Sequence, residues 1–281
     1  MNCLICNANN FSYLYNYTLK KCNVCGFITA NIEISAEELS HIYTEKYFKG
    51  EEYLDYLKEK QALQFNFRRR LKCLRRVFPE KKINNVLEIG CAYGFFGNVL
   101  TDIYSDSKYI GIDLAHEPIL YGKQVLNLNL VEADYLLYNS SEKYSDVFMW
   151  DVIEHLERPD LFLRKVHSEL AENGFVYLTT GDIGSFFARI QKERWRMIHP
   201  PSHLQYFSEK TLIRLLEKEG FNVAFIKYPA VYRSIKQMFF SLFILKKKKR
   251  KLLNVIFNAI PEKWLIPLNT YDIMFVCAQR K

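Results

Sequence analysis

Val86-Leu-Glu-Ile-Gly-Cys-Ala-Tyr-Gly94 is a short apolar run that carries an acid and opens into a glycine turn. Val86, Leu87 and Ile89 have the character of a buried parallel strand, and Gly90 and Gly94 let the turn approach a ligand closely. A helix is predicted from Phe95 to Ile103. Its N-terminus would present unpaired N–H groups and a positive dipole end to an anionic or carboxylate-bearing ligand.

The neighbouring segments repeat the pattern. Lys108-Tyr-Ile-Gly-Ile-Asp113 is a second strand ending in an acid, about 20 residues after the glycine turn, where a ribose-binding carboxylate belongs in a doubly wound sheet. Leu130 to Asp134 and Asp146 to Asp151 read as a third and a fourth acid-ended strand. Ligands of such sheets sit outside the carboxyl ends of the strands, so Glu88, Asp113, Asp134 and Asp151 are expected to face one crevice. A nicotinamide dinucleotide is the competing ligand, because Ala92-Tyr-Gly-Phe-Phe-Gly97 nearly spells its glycine fingerprint. That fingerprint fails in register: read from Gly90, its third glycine falls on Phe95.

These residues resemble the class I S-adenosylmethionine-dependent methyltransferases over roughly Asn84 to Phe225. The resemblance rests on Glu88-x-Gly90-x-Ala92-x-Gly94, Asp113, Asp134, Asp151-Val-Ile-Glu-His-Leu-Glu-Arg-Pro159 and Pro201-Ser-His-Leu-Gln-Tyr-Phe-Ser208. The last segment, followed by Leu212 to Phe221, is similar to the small-molecule branch that includes ubiquinone-biosynthesis O-methyltransferases and many surface-glycan enzymes. The resemblance implies a seven-stranded, mostly parallel, Rossmann-like sheet whose last strand inserts antiparallel beside the sixth. It implies S-adenosylmethionine as cofactor, with Gly90, Ala92 and Gly94 around its methionine part, Asp113 on the ribose and Asp134 on the adenine amino group. Glu88 and Asp151 complete the cofactor crevice. Ala92 stands where the family usually has glycine.

Four of the seven cysteines fall as Cys3-x-x-Cys6 and Cys22-x-x-Cys25, with fifteen residues between the pairs. Each pair can set two thiolates on one tight turn, and two such turns complete the tetrahedron of a structural zinc. Disulfides are disfavoured in a chain expected to be cytoplasmic, since Met1-Asn-Cys-Leu-Ile-Cys has neither the basic nor the apolar region of a signal peptide. Zinc modules of this kind also precede sugar C-methyltransferases, which the front of the chain resembles. Cys73, Cys91 and Cys277 read as ordinary small apolar residues.

The 281 residues, 49% hydrophobic, give room for one large α/β domain and a small accessory module. The expected organisation is a four-cysteine zinc module over 1–30, a helical linker over 31–80 and a catalytic domain over 81–281. In the linker, Ser35 to Tyr47 and Glu51 to Phe78 read as helices, the second carrying Arg68, Arg69, Arg70, Lys72, Arg75 and Arg76 as a solvated or phosphate-contacting face. Asp182 to Pro201, rich in aromatic and basic residues, is a candidate lid over the acceptor. An insertion over 231–267 sets the apolar Met238–Leu245 against Lys246–Lys251. That arrangement suits peripheral contact with an anionic membrane through Met238–Lys251, or equally a helix packed on the domain with a solvated lysine turn.

Methyl transfer from a sulfonium needs in-line alignment of the acceptor and removal of its proton. His203 and His155 are the candidate bases. Asp151, Glu154 and His155 match a segment that binds a divalent metal in some ubiquinone-pathway relatives; otherwise Glu154 and His155 hydrogen-bond the loop closed. The expected activity is O-methylation of a sugar or other small metabolite in surface-glycan biosynthesis. A sugar C-methyltransferase or an RNA methyltransferase is the alternative, the latter suggested by the net charge of +8 and the cysteine pairs. Nucleic acid is not the expected partner, because no Asn-Pro-Pro-Tyr-type motif is present and the basic residues form two local clusters. A binding protein with a disused cofactor pocket is the alternative of another class.

Overall fold

The computed structural model describes residues 2–32, 56–239, 257–261 and 263–281. The expected Ser35–Tyr47 helix and the run from 240 to 251 lie outside the described residues. Strands are β1 Phe11–Leu14, β2 Leu19–Cys22, β3 Ile28–Ala30, β4 Asn85–Ile89, β5 Lys108–Asp113, β6 Leu130–Glu132, β7 Tyr144–Trp150, β8 Leu170–Gly181, β9 Gln205–Tyr206, β10 Phe221–Lys227, β11 Val231–Ser234, β12 Leu265–Leu268 and β13 Ile273–Arg280. Helices are α1 Lys60–Val77, α2 Phe95–Ile103, α3 His116–Leu126, α4 Pro159–Glu169, α5 Phe186–Gln191, α6 Glu209–Lys218 and α7 Ile235–Phe239.

Seven strands form the central sheet in the order β10-β13-β8-β7-β4-β5-β6. The five strands from β8 to β6 run parallel, and β13 enters antiparallel between β8 and β10. This is the α/β methyltransferase fold that the strand pattern predicts. The period of two along β7 and β8 explains how one sheet serves two cores. Val147, Met149, Val176 and Leu178 meet α4 and α6 through Leu163, Val166, Leu212 and Leu215. Phe148, Trp150, Phe175 and Tyr177 join Phe67, Leu71, Phe96 and Leu100 of α1 and α2 on the other face.

Several expected boundaries move. The long linker helix begins at Lys60 in the described residues, with residues 56–59 forming a turn before it. Its arginines are not one basic face: Arg70 is buried with its guanidinium 4.8 Å from the Trp150 ring, Arg69 lies over Tyr232 and Arg68 pairs with Asp102. The third strand stops at Glu132, which leaves Asp134 in the loop beyond it. The ends of the insertion, β11 and β12, pair antiparallel with each other. No helix among the described residues is long and apolar enough to cross a membrane.

The N-terminal segment does not stand alone. Its sheet, β1-β2-β3, is completed by β9, so Ile28 and Thr29 pair with Tyr206 and Gln205. Cys3, Cys22, Cys25 and Phe27 share one apolar core with Leu212 and Leu215 of α6. Lys218 donates to the Leu4 carbonyl at 2.6 Å, a further tie between the two.

Candidate active site

The glycine turn follows β4 with three left-handed residues in alternation: Gly90 at φ +73°, Ala92 at +44° and Gly94 at +72°. A side chain at Gly90 would meet Val152 Cγ2 at 2.5 Å, so the position needs glycine on both conformational and steric grounds. Ala92 accepts the strain of its φ and sends its N–H to Asp113 Oδ2 at 2.7 Å, while Asp113 Oδ1 takes the Ala115 N–H at 2.9 Å. Asp113 is thereby fixed against the turn. Burial pushes its carboxyl above the usual range, against the pull of the Ala115, Ala92 and Leu114 N–H groups.

A cavity opens at these strand ends, lined by Gly90, Ala92, Asp113, Asp134, Asp151 and His155 together with Tyr56, Tyr135, Trp150 and Phe162. Asp134 binds its own loop through the Leu136 N–H at 2.8 Å. Asp151 has φ +55°, and Thr179 donates its hydroxyl to Asp151 Oδ1 at 2.8 Å. Three of the expected residues lie elsewhere. Glu88 is buried under the turn, 2% exposed, with the Tyr109 hydroxyl donating to it. Burial holds its carboxyl well above the carboxylate range. Gly94 caps α2 and faces Leu128 and Leu130. His203 is 4% exposed behind the cavity wall, its Nδ1 2.8 Å from the Met197 carbonyl.

Burial first, then the neighbouring His155 and His199, drives the His203 imidazole down to about 2. That is poor tuning for a general base, which works best near the operating pH. His155 reaches the cavity, with its Nδ1 2.8 Å from the Ser202 carbonyl. Burial lowers it to about 4, so it is neutral at ordinary pH. A carbonyl can only accept, so in both rings Nδ1 carries the proton and Nε2 is the basic atom. No residue of the expected lid lines the cavity: Trp195 is 2% exposed and donates to Asp272 Oδ2 at 2.8 Å, and Arg196 pairs with Asp272 at 3.0 Å. Sequence reasoning missed the aromatic wall. Trp150 and Tyr135 sit next to recognised acids and had a signal in that adjacency, whereas Tyr56, in the turn before α1, and Phe162, in α4, are distant in sequence and had none.

The four N-terminal thiols converge from two turns. Cys3 and Cys25 Sγ lie 3.4 Å apart, Cys6 and Cys22 Sγ 3.5 Å, and all four fall within 4.8 Å of one another. Burial raises the Cys22 thiol, but the Cys25 and Val24 N–H groups and the adjacent thiols outweigh it and bring it to about 7. Four sulfurs about 2.3 Å from one ion would stand roughly 3.8 Å apart, close to what the turns provide.

Residues 56–224, more than half of the chain, match the model of a methyltransferase domain. The chain belongs to the methyltransferase-domain family of S-adenosylmethionine-dependent enzymes. It is similar to the Papaver bracteatum protein named "Probable (S)-tetrahydroprotoberberine N-methyltransferase 2", at 24% identity over 139 residues, 46% of this chain. The match spans 39% of that relative's length. Among solved structures it resembles a SAM-dependent methyltransferase from Archaeoglobus fulgidus, at TM-score 0.51 and 21% identity, covering 84% of this chain and 97% of that one. It also resembles the magnesium protoporphyrin IX methyltransferase of Synechocystis PCC 6803 with bound SAH, at TM-score 0.51 and 13% identity, covering 84% and 92%. At these identities the likeness is one of fold.

Proposed function

We propose that the chain moves the methyl group of S-adenosylmethionine to an oxygen of a small polar acceptor, a sugar or comparable metabolite, in surface-glycan assembly. The observation that carries the cofactor reading is Asp113, a carboxylate on the cavity wall whose orientation is set by two backbone N–H groups. Each of its oxygens keeps a lone pair to which a ribose hydroxyl can donate. Gly90 and Ala92 leave the turn open to the methionine part, and Asp134, on the cavity wall, takes the adenine amino group in this reading. The four acids do not act as one set in this reading, since Glu88 supports the turn from beneath. The glycan branch is supported by the Pro201–Ser208 motif.

On the acceptor side His155 is the better base, being the histidine at the cavity; a positioned base contributes about 10²–10⁴-fold. Asp151 closes the wall beside it. Cys3, Cys6, Cys22 and Cys25 hold a structural zinc, for which the convergence of their four sulfurs is suited. The membrane reading of Met238–Lys251 stays attached to a lipid-linked acceptor.

Calorimetry with S-adenosylmethionine tests the donor. Asp113→Asn should weaken binding by about tenfold or more, the loss of a charge-assisted hydrogen bond of about 1.5–3 kcal/mol. No heat with the wild type, together with no thermal protection, would instead favour a disused pocket. Turnover over a panel of sugars, with the methylated atom located by NMR, tests the acceptor. Transfer to an amine nitrogen is the second reading, favoured by the aromatic wall of Tyr56, Tyr135, Trp150 and Phe162 and by the name of the Papaver relative.

A further inference from the structure

The four-stranded sheet of the N-terminal module buries one face and turns the other to a cavity. Directly opposed residues of an antiparallel ladder put their side chains on the same side, and neighbours along a strand alternate. Leu14, Leu19, Ile28 and Tyr206 therefore share a face, and they pack with Ile183 and Ile198 of the methyltransferase domain. The same register sets Tyr13, Lys20, Thr29 and Gln205 in one row across all four strands on the opposite face. Lys20, Thr29 and Gln205 line a cavity of about 240 Å³ together with Phe11, Phe27 and Glu157. Glu157 directly follows Leu156, a residue of the cavity at Asp113, so the two cavities are neighbours along one stretch of chain.

Gln205 is 5% exposed, and its Nε2 donates to the Leu156 and Glu157 carbonyls at 3.1 and 3.3 Å. Its Oε1 has no donor among the described residues. A buried acceptor left without a donor is costly, so a donating group is wanted beside it. At its other end the row runs out of the cavity onto Tyr13, which is exposed, and the exposed Tyr17 ring lies 4.9 Å from it. Tyr15, Asn16 and Tyr17 are all left-handed, at φ +52°, +52° and +65°, a region that bulky side chains rarely enter. Asn31 holds this turn, its Nδ2 donating to the Tyr17 carbonyl at 2.9 Å. Backbone strain of that kind gathers where a ligand is clamped, and here it sets two aromatic rings side by side in solvent.

We propose that this face of the module binds a saccharide, one ring in the cavity among Phe11, Lys20, Gln205 and Glu157 and the next ring on Tyr13 and Tyr17. A sugar ring has an apolar C–H side for an aromatic ring, and its hydroxyls both donate and accept. They therefore serve the Glu157 and Gln205 acceptors and the Lys20 cation alike. The cavity is smaller than the roughly 300–1,000 Å³ of a drug-sized site, so it takes a single ring and not a nucleotide-linked sugar. A phosphate would meet the Glu157 carboxylate, which sets RNA aside as the occupant of the aromatic pair. The site lies outside the cavity at Asp113 and retains a glycan beside it. It stands whether or not the methyl acceptor is itself a sugar.

Saturation-transfer NMR on the full chain with maltose, cellobiose and N,N'-diacetylchitobiose reads the face without any methyl transfer, so its failure leaves the proposed activity untouched. At least one of the three should bind, with saturation strongest on the ring C–H groups. Glu157→Gln should weaken that binding by about tenfold, the step from a charge-assisted to a neutral hydrogen bond. Tyr17→Asn removes the ring while keeping a residue suited to the left-handed turn, and should weaken binding by about threefold or more. Tyr17→Phe keeps the ring and should bind as the wild type does. No saturation of any of the three sugars overturns the proposal. So does binding that either Glu157→Gln or Tyr17→Asn leaves unchanged, which would put the sugar elsewhere on the molecule. Binding of oligouridylate in place of the sugars, lost in Tyr17→Asn, would overturn it in favour of a nucleic-acid platform.

Discussion

At the scale of single residues, Glu88 shows how position and role come apart. Its place at the end of the first strand of the catalytic domain was legible, because an acid before a glycine turn marks the strand end. Its burial was not, because that depends on Tyr109, which reaches it from the next strand. Burial first, then Asp113, keeps the folded carboxyl protonated far above its ordinary value of 4.5. The unfolded chain loses that proton near 4.5, so this residue contributes stability that is complete below that pH and is lost as pH rises. Glutamine keeps an acceptor for Tyr109 and does not titrate. The melting temperature of Glu88→Gln relative to wild type should therefore climb between about pH 5 and about pH 8. A difference that stays flat across that range would mean Glu88 is ionised in the folded protein. Ala92 is the converse case: the sequence marked it as an anomaly, and its φ of +44° explains why glycine is usual there.

At the scale of elements, those defined by local signals came out near their expected bounds. Ser208, a residue type suited to a helix start, caps α6 in a capping box: its Oγ accepts the Thr211 N–H at 3.3 Å, and Thr211 Oγ1 accepts the Ser208 N–H at 2.9 Å. Ser208→Ala should cost about 1 kcal/mol, read as a lower urea midpoint at unchanged slope. An effect below about 0.3 kcal/mol would mean the helix is held by its apolar face alone. That face packs Leu212 and Leu215 among Cys3, Cys22 and Phe27. By contrast β9, two residues long, has no local signature, since it exists only because β3 lies beside it. The arginine run of α1 misled for a related reason. Charge clustering is visible in sequence, but that Arg70 turns inward onto Trp150 is set by the packing of α1 on α2 and β7.

At the scale of the whole molecule, the N-terminal module and the methyltransferase domain are joined beside the wall proposed to hold the acceptor. Thr29 Oγ1 and the Ala30 N–H both reach the Leu204 carbonyl, at 2.9 and 2.8 Å, and Gln205 Nε2 donates to the Leu156 carbonyl at 3.1 Å. Leu156 lines the cavity, so these hydrogen bonds bring the module within a few residues of one wall. The proposed cofactor side, Gly90, Ala92, Asp113 and Asp134, hangs from β4, β5 and the loop after β6, which make no pairing with the module. Cys6 is the exposed member of the thiol cluster, so Cys6→Ser removes a proposed zinc ligand while leaving the packing of Cys3, Cys22 and Cys25 in place. Because metal binding energy acts as folding energy in such a segment, the variant should melt at lower temperature. Its affinity for S-adenosylmethionine should stay within about threefold, less than 1 kcal/mol, while transfer to the acceptor falls by about tenfold or more as Leu204 and Gln205 lose their support. Equal losses of cofactor binding and transfer would show that the module sustains the whole sheet. Loss of transfer alone would show that it acts on the wall that holds the acceptor.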